Sequence, residues 1–176
     1  MPFDPGHRVD ATQFPPPSAL LRAFLESTDP DPARHRVLEA ANRLARCHDR
    51  RHQAIEAARA PEATSGRIAA CGKLIDQIDG DRATLIDRID EWVAANVAHR
   101  AGASLHTETL GAVIDRMAAK WIAAQRALGG DPVEKTTPRQ WEARTHLHWC
   151  RLAELTDGYR DLITDVTEHR RRLPVW

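Results

Sequence analysis

Apolar residues recur every three or four positions along most of the chain, which is the spacing of helices that bury one face. In the last such segment the apolar seam passes through Trp141, His148, Leu155 and Leu162 at a near-heptad interval. No window alternates between apolar and polar residues for long enough to indicate a strand. The pattern therefore predicts an all-α protein.

Cap and breaker residues divide the pattern into one short and four long helices. Asp31-Pro32 and Thr137-Pro138 are typical of helix starts, and Gly129-Gly130 is typical of a helix stop. The predicted helices cover residues 19–26, 32–59, 66–97, 110–128 and 138–171. Connections this short predict an up-down bundle. Residues 18–176 are thus predicted to form a single helical-bundle domain, and residues 1–17 an extended or disordered Pro-rich arm with little core to join.

Charge and cysteine content narrow the range of partners. The 25 Lys and Arg residues balance the 25 Asp and Glu residues, so no overall positive field attracts nucleic acid or an anionic membrane. No apolar stretch approaches the roughly 20 residues that a spanning helix needs. Three widely spaced cysteines suit a reducing compartment better than a disulfide framework. We expect a cytoplasmic protein without nucleic-acid or membrane partners.

An arginine interrupts the apolar seam of the second long helix. Counting from the turns places Asn42 and Glu142 near the level of Arg82. A buried arginine needs an acidic partner, which Glu142 or Asp79 can supply. Two interpretations stay open: an ion pair that fixes the register of the helices, and a receptor for an anion or carboxylate, because guanidinium offers a planar fork of donors.

Asp115 and His148 are the candidates for acid-base chemistry, since the same counting brings them to one level. An Asp and a His within hydrogen-bond reach can exchange a proton with a substrate. The alternative is a satisfied polar contact between two helices. The catalytic residues therefore stay unknown, and the sequence does not decide whether the protein is an enzyme.

His48 and His52 lie one helical turn apart, a spacing that can chelate a transition metal. A di-iron bundle, however, needs Glu-x-x-His on two helices and two further carboxylates, whereas only Asp49-x-x-His52 approaches that motif. We therefore expect no metal and no other cofactor.

A string of residues ahead of and inside the third long helix has a more specific character. It reads Glu108-Thr109-x-Gly111-x-x-Ile114-Asp115-Arg116. The first long helix adds Asn42-x-Leu44 and Asp49, and the second adds Ile75-Asp76 through Arg82 to Ile86-x-x-Ile89-Asp90. The last helix adds His148, Leu152-Ala153-Glu154-Leu155 and Tyr159-x-x-Leu162. Together they resemble the bacterial domain-of-unknown-function family 4254 over about residues 32–170. The resemblance implies a helical bundle without an established activity, in a family whose members often accompany glycosyltransferases and other biosynthetic enzymes. The family's Arg-Asn-Asp tripeptide is here Arg82-Ala83-Thr84, so the role of that Asn and Asp is not carried over.

Two functional hypotheses follow. In the first, a polar site between helices, lined by Arg82, Asp115, Glu142 and His148, receives a small polar or anionic metabolite. Asn42, Glu108 and Arg116 are further ligand-binding candidates. In the second, the protein is a non-catalytic accessory protein of a biosynthetic pathway, and an exposed apolar surface, such as the short Leu-rich helix or the Trp92 and Trp149 faces, meets a second copy or a biosynthetic enzyme.

Overall fold

A computed structural model describes residues 12–26, 35–129 and 137–175 of the chain. It confirms the predicted all-α helical bundle of one short and four long helices, to which it adds two strands of two residues each. No helix in these three ranges is long and apolar enough to cross a membrane. The elements are α1 (Pro17–Leu25), α2 (Arg36–Arg59), α3 (Ser65–Asn96), β1 (Ser104–Leu105), α4 (Leu110–Gly129), α5 (Pro138–Thr167) and β2 (Arg171–Arg172).

Helices α2, α3 and α4 form the centre of the bundle. α2 packs along α3, and α4 packs against both, while α1 lies across α2 and α4. α5 packs along α4 and contacts α1, and within the described ranges its backbone does not approach α2 or α3 closely. The fourth long helix therefore extends the bundle from α4 and leaves a flank of α4 and α5 that no other described helix covers. One core unites the helices through the fully buried side chains of Leu20, Leu44, Ile78, Ile89, Leu110, Ile114, Met117 and Tyr159.

The ends of the helices follow local chemistry. Thr137 and Gln140 form the predicted capping box at the start of α5. α5 ends at Thr167, four residues before the predicted end, because His169 adopts a left-handed backbone conformation with φ of 59°. The chain then forms β2, which pairs in parallel with β1 of the α3–α4 connection. The starts of α1 and α2 also differ from prediction: α1 begins at Pro17, and His35 caps α2 by accepting a hydrogen bond from the Val37 N–H. The predicted cap at Asp31-Pro32 lies outside the described ranges.

The described end of the N-terminal arm is packed, contrary to the expectation that it has little core to join. Pro15 is fully buried, and the Phe14 ring meets Trp92 edge to face at 5.8 Å between centroids. The Tyr159 hydroxyl donates a 2.7 Å hydrogen bond to the Pro15 carbonyl. His35 Nε2 donates to the Gln13 carbonyl at 2.9 Å, because its Nδ1 already accepts a hydrogen bond. Apolar area and backbone acceptors thus tie residues 13–15 to the bundle, while residues 1–11 lie outside the described ranges.

Candidate functional site

Three polar side chains from three different helices meet inside the bundle. Nε2 of His48 on α2 lies 2.8 Å from Oδ1 of Asp115 on α4. Arg82 on α3 contacts the same carboxylate with both arms of its fork, Nε to Oδ1 at 3.1 Å and Nη2 to Oδ2 at 2.6 Å. Both oxygens of Asp115 are therefore occupied by protein donors. We call His48, Arg82 and Asp115, together with Asp79 and Arg51, the polar network.

The network continues from Arg82 towards the surface. Nη1 of Arg82 donates to Oδ1 of Asp79 at 2.8 Å, and Nε of Arg51 donates to the same oxygen at 3.1 Å. Burial raises the pKa of Asp79, but the hydrogen bonds from Arg82 and Arg51 outweigh it and leave that pKa below its ordinary value. The predicted pairing of Arg82 with Asp79 is confirmed. The sequence did not identify Asp115 as the principal partner of this arginine.

Asp115 is held ionised by its neighbours. Burial raises the pKa of this carboxyl, but the hydrogen bonds from His48 and Arg82 and their positive charges lower it to about 2. Because an ionised carboxylate only accepts hydrogen bonds, His48 carries its proton on Nε2 when it faces Asp115. A carboxylate with a low pKa and no free oxygen is a poor general base near neutral pH. The geometry therefore assigns Asp115 to the connection of α2, α3 and α4.

The proposed acid-base pair of Asp115 and His148 is not brought together. Asp115 bonds His48, whereas His148 lies on α5, half-buried, and its Nδ1 atom is buried without a hydrogen-bond partner in the described ranges. Burial lowers the pKa of His148, and the positive charges of Arg151, Lys120 and Arg144 lower it further. The residue count failed because α4 is the only long helix in the described ranges against which α5 packs, so His148 does not reach the network between α2, α3 and α4.

The two histidines of the weak metal hypothesis are separated by their environments. His48 is buried in the network, while His52 is exposed. Burial and the nearby charge of Arg126 lower the pKa of His52. Within residues 12–26, 35–129 and 137–175, no three His, Cys, Asp or Glu side chains converge as a metal ion would require.

Gly111 allows α4 to approach α3 closely enough for the polar network to form. A β-carbon at Gly111 would lie 2.6 Å from the carbonyl oxygen of Ile86, so only glycine allows this approach. The Gly111 N–H donates to Oδ1 of Asp90 at 2.8 Å, which caps the start of α4 from the neighbouring helix. Burial raises the pKa of Asp90, and this hydrogen bond opposes the shift. One turn later on the same face of α4, Asp115 faces Arg82.

The remaining ligand-binding candidates have separate roles. Asn42 is buried, and its amide donates to the carbonyls of Ala23 at 2.8 Å and Glu26 at 2.6 Å, which holds the end of α1 on α2. Arg116 forms an exposed bidentate pair with Glu108, at 2.8 and 2.7 Å. Glu142 is exposed near the start of α5 and forms no contact with Arg82 in the described ranges. Asn42 and Glu142 therefore do not join Arg82 in one site.

A cavity of about 410 Å³ lies between α4 and α5, beside the two short strands. Two carboxylates in its wall, Glu154 and Asp161, have no hydrogen-bond or ion-pair partner among the described residues. Arg116 was among the ligand-binding candidates predicted from the sequence, but these two acids were not, although Glu154 belongs to one of the strings of the family resemblance. The polar lining consists of His106, Arg116, Glu154, Asp161, Asp165 and Arg171, over a floor that includes Val113, Leu155, Tyr159 and Leu162.

A second cavity, of about 500 Å³, lies between α2 and α3 and is lined by Arg36, Glu39, Arg88, Glu91 and Trp92 among others. None of these residues is specified in the strings by which the chain resembles its family. The α4–α5 cavity, in contrast, receives Arg116 from one string and Glu154, Leu155, Tyr159 and Leu162 from others.

Fold and site define an all-α protein whose three central helices are joined by a buried polar network and whose fourth long helix borders a polar cavity. The family model described as "Protein of unknown function (DUF4254)" matches residues 38–175. The chain belongs to this family, which confirms the resemblance seen in its motifs. No curated protein and no solved structure matches the chain.

Proposed function

We propose that the protein binds a small polar metabolite in the cavity between α4 and α5. The observation that carries this proposal is the meeting of unpaired carboxylates and arginine N–H groups in one cavity of about 410 Å³. That volume falls within the range of about 300–1,000 Å³ typical of small-molecule sites. The ligand site thus lies on the α5 side of α4, and not at Arg82 and Asp115.

The lining indicates what the ligand carries. Glu154 and Asp161 accept hydrogen bonds, so they favour hydroxyl or ammonium groups on the ligand. Arg116 uses Nη1 and Nη2 to hold Glu108, and its remaining N–H groups can donate to an acidic group. A ligand with donors at one end and an acidic group at the other complements both.

Ligand-observed NMR with a panel of amino acids, amino sugars and hydroxy acids tests this proposal. We expect saturable binding of at least one of these probes, weakened about tenfold or more by Glu154→Gln, since a hydrogen bond to a charged group is worth about 1.5–3 kcal/mol. Glu142→Gln is the matched control, because Glu142 is exposed on the same helix but outside the cavity, and it should bind as the wild type does. The proposal is wrong if no probe binds saturably, or if Glu154→Gln binds every probe unchanged.

The alternative function, a homo-oligomeric accessory protein of a biosynthetic pathway, is supported by apolar side chains that face solvent. Ile68, Leu128 and Leu147 are 49%, 51% and 46% exposed, and all three lie towards the end of the bundle at which α4 passes into α5. Trp92 does not contribute to such a surface, because it is only 4% exposed. Multi-angle light scattering of the wild type and of Leu128→Ser/Leu147→Ser tests this function, which predicts an oligomer that the double variant loses.

The proposal includes a cytoplasmic location. Its support is the state of Cys47, Cys71 and Cys150, all of which are free thiols. Free thiols are usual in a reducing compartment.

A further inference from the structure

Three positively charged side chains gather around His148 on the uncovered flank of α4 and α5. Arg144, His148 and Arg151 are spaced i, i+4 and i+7 on α5, so they form one stripe along the helix. Lys120 on α4 lies level with Arg151. The two helices run antiparallel, and Thr145 Oγ1 donates to the Ala127 carbonyl at 3.2 Å, so these two residues lie at one level. Lys120 precedes Ala127 by seven residues and Arg151 follows Thr145 by six, which brings Lys120 and Arg151 to nearly the same level. The T-shaped contact of Trp121 with Trp149, 6.0 Å between centroids, agrees with that register.

The stripe lies on the same flank as the α4–α5 cavity. Arg116 and Leu155 both line that cavity, and Lys120 follows Arg116 by one turn, while Arg151 precedes Leu155 by one turn. The charged groups therefore continue the seam beyond the end of the cavity. We call this separate group of side chains the His148 cluster; it consists of Lys120, Arg144, His148 and Arg151.

Within the described residues, no ion pair neutralises the charges of the His148 cluster. None of Lys120, Arg144 and Arg151 forms an ion pair with an acidic side chain in the described ranges, whereas Arg51, Arg82, Arg116 and Arg126 all do. The helical spacing and the α4–α5 register bring these three cations near the His148 ring, whose pKa is lowered by burial and by the positive charges of Arg151, Lys120 and Arg144. The buried Nδ1 of His148 also has no hydrogen-bond partner in those ranges.

We propose that the His148 cluster binds the phosphoryl group of a small phosphorylated molecule or inorganic phosphate. Two guanidinium groups and one ammonium group suit a tetrahedral dianion, whose oxygens can accept hydrogen bonds in several directions at once. A planar carboxylate is satisfied by a single arginine fork and leaves the other cations unpaired. This site is independent of the metabolite proposed for the adjoining cavity, and neither assignment requires the other.

Isothermal titration calorimetry with inorganic phosphate, pyrophosphate and glycerol phosphate, at constant ionic strength, tests the site. Saturable binding is expected for at least one of these probes, and Arg144→Gln/Arg151→Gln should weaken it about tenfold or more. Binding of free phosphate and of glycerol phosphate in parallel titrations distinguishes a free anion from a phosphate ester as the preferred ligand. Arg139→Gln is the matched control, because Arg139 is exposed on α5 but about 140° around the helix from Arg144.

The control variant should bind like the wild type, and melting temperatures should show that both variants are folded. The site is refuted if none of the three probes binds saturably, if the double variant binds as tightly as the wild type, or if acetate at the same ionic strength competes as well as phosphate does. Loss of metabolite binding in Glu154→Gln with intact phosphate binding would separate the cavity from the His148 cluster. If the double variant does not fold, the chemical shifts of the His148 ring on addition of phosphate to the wild type decide instead, and unchanged shifts reject the site.

Discussion

Replacing Asp115 by asparagine tests whether the polar network holds the central helices together. The substitution keeps the size of the side chain but removes the charge that faces His48 and Arg82. Breaking one side of a buried ion pair costs about 3–5 kcal/mol, because the remaining charge is left without its partner. The Arg82 side chain is 23% exposed and retains Asp79 as a partner. We therefore expect a loss at the lower end of that range, about 3 kcal/mol near neutral pH.

The pH dependence of this loss follows from the pKa of Asp115. The folded protein holds that pKa at about 2, below the ordinary value of 3.8. A carboxyl whose pKa is lower in the folded state stabilises the protein above the unfolded pKa, and this contribution disappears as the pH falls through the folded pKa. The difference corresponds to roughly 2.5 kcal/mol, lost between about pH 4 and pH 2. Protonated aspartic acid and asparagine are both neutral, so the wild type and the variant should converge in acid.

Urea unfolding followed by circular dichroism measures both effects, at about pH 7 and about pH 2.5. Glu108→Gln is the control, because it breaks a bidentate pair with Arg116 that is exposed, and it should cost no more than about 1 kcal/mol. Asp115→Asn/Arg82→Met should be less destabilised than the sum of its single variants, since the two residues interact directly. If Asp115→Asn costs no more than the control, or loses the same stability at both pH values, the network does not hold the helices as described.

Other substitutions test individual contacts, with the free energy of unfolding as the measurement. Gly111→Ala should destabilise the fold by about 2–3 kcal/mol, because the new β-carbon meets a backbone carbonyl. Gly80→Ala, whose β-carbon meets nothing, should stabilise the fold by up to about 1 kcal/mol. Equal effects of the two substitutions would contradict the close approach of α4 to α3. Asn42→Ala should cost about 2 kcal/mol and increase proteolysis of α1, and unchanged proteolysis would mean that the amide does not hold that helix. Tyr159→Phe should cost about 1–2 kcal/mol through the lost bond to Pro15, and a neutral result would show that the arm is held by other contacts.

The helices could be predicted because their evidence is local. Thr137-Pro138-x-Gln140 carries its own capping box, and the start of α4 at Leu110 follows directly from the cap-rich residues ahead of it. The end of α5 was misplaced because apolar and basic residues continue past Thr167. Only the left-handed conformation of His169, for which the sequence has no glycine signal, stops the helix.

The polar contacts could be predicted only in part, because they depend on how whole helices are placed. Counting residues along helices carries an error of about one turn, roughly 5 Å, which exceeds the separation of neighbouring partners. Asp79 was identified as a partner of Arg82 because both lie on one helix, three residues apart. His48 as the partner of Asp115 depends on the contact of α2 with α4, and no local pattern encodes that contact.

The cavity was missed for a related reason. Counting residues along the predicted up-down bundle placed Glu142 near the level of Arg82 and His148 near that of Asp115. α5 instead packs on α4 alone among the long helices, so that Glu154 and Asp161 face Arg116 across an open flank. The signal that could have revealed it was the combination of Arg116 with Glu154 in the strings of the family resemblance.

A crystal structure of the protein with the tightest-binding probe from the NMR panel tests the proposed function most directly. We expect the probe to lie between α4 and α5, with a hydroxyl or ammonium group on Glu154 or Asp161 and an acidic group towards Arg116. The competing site is the cavity of about 500 Å³ between α2 and α3, beside Arg36 and Arg88. A probe bound there, with an empty α4–α5 cavity, would contradict the proposal.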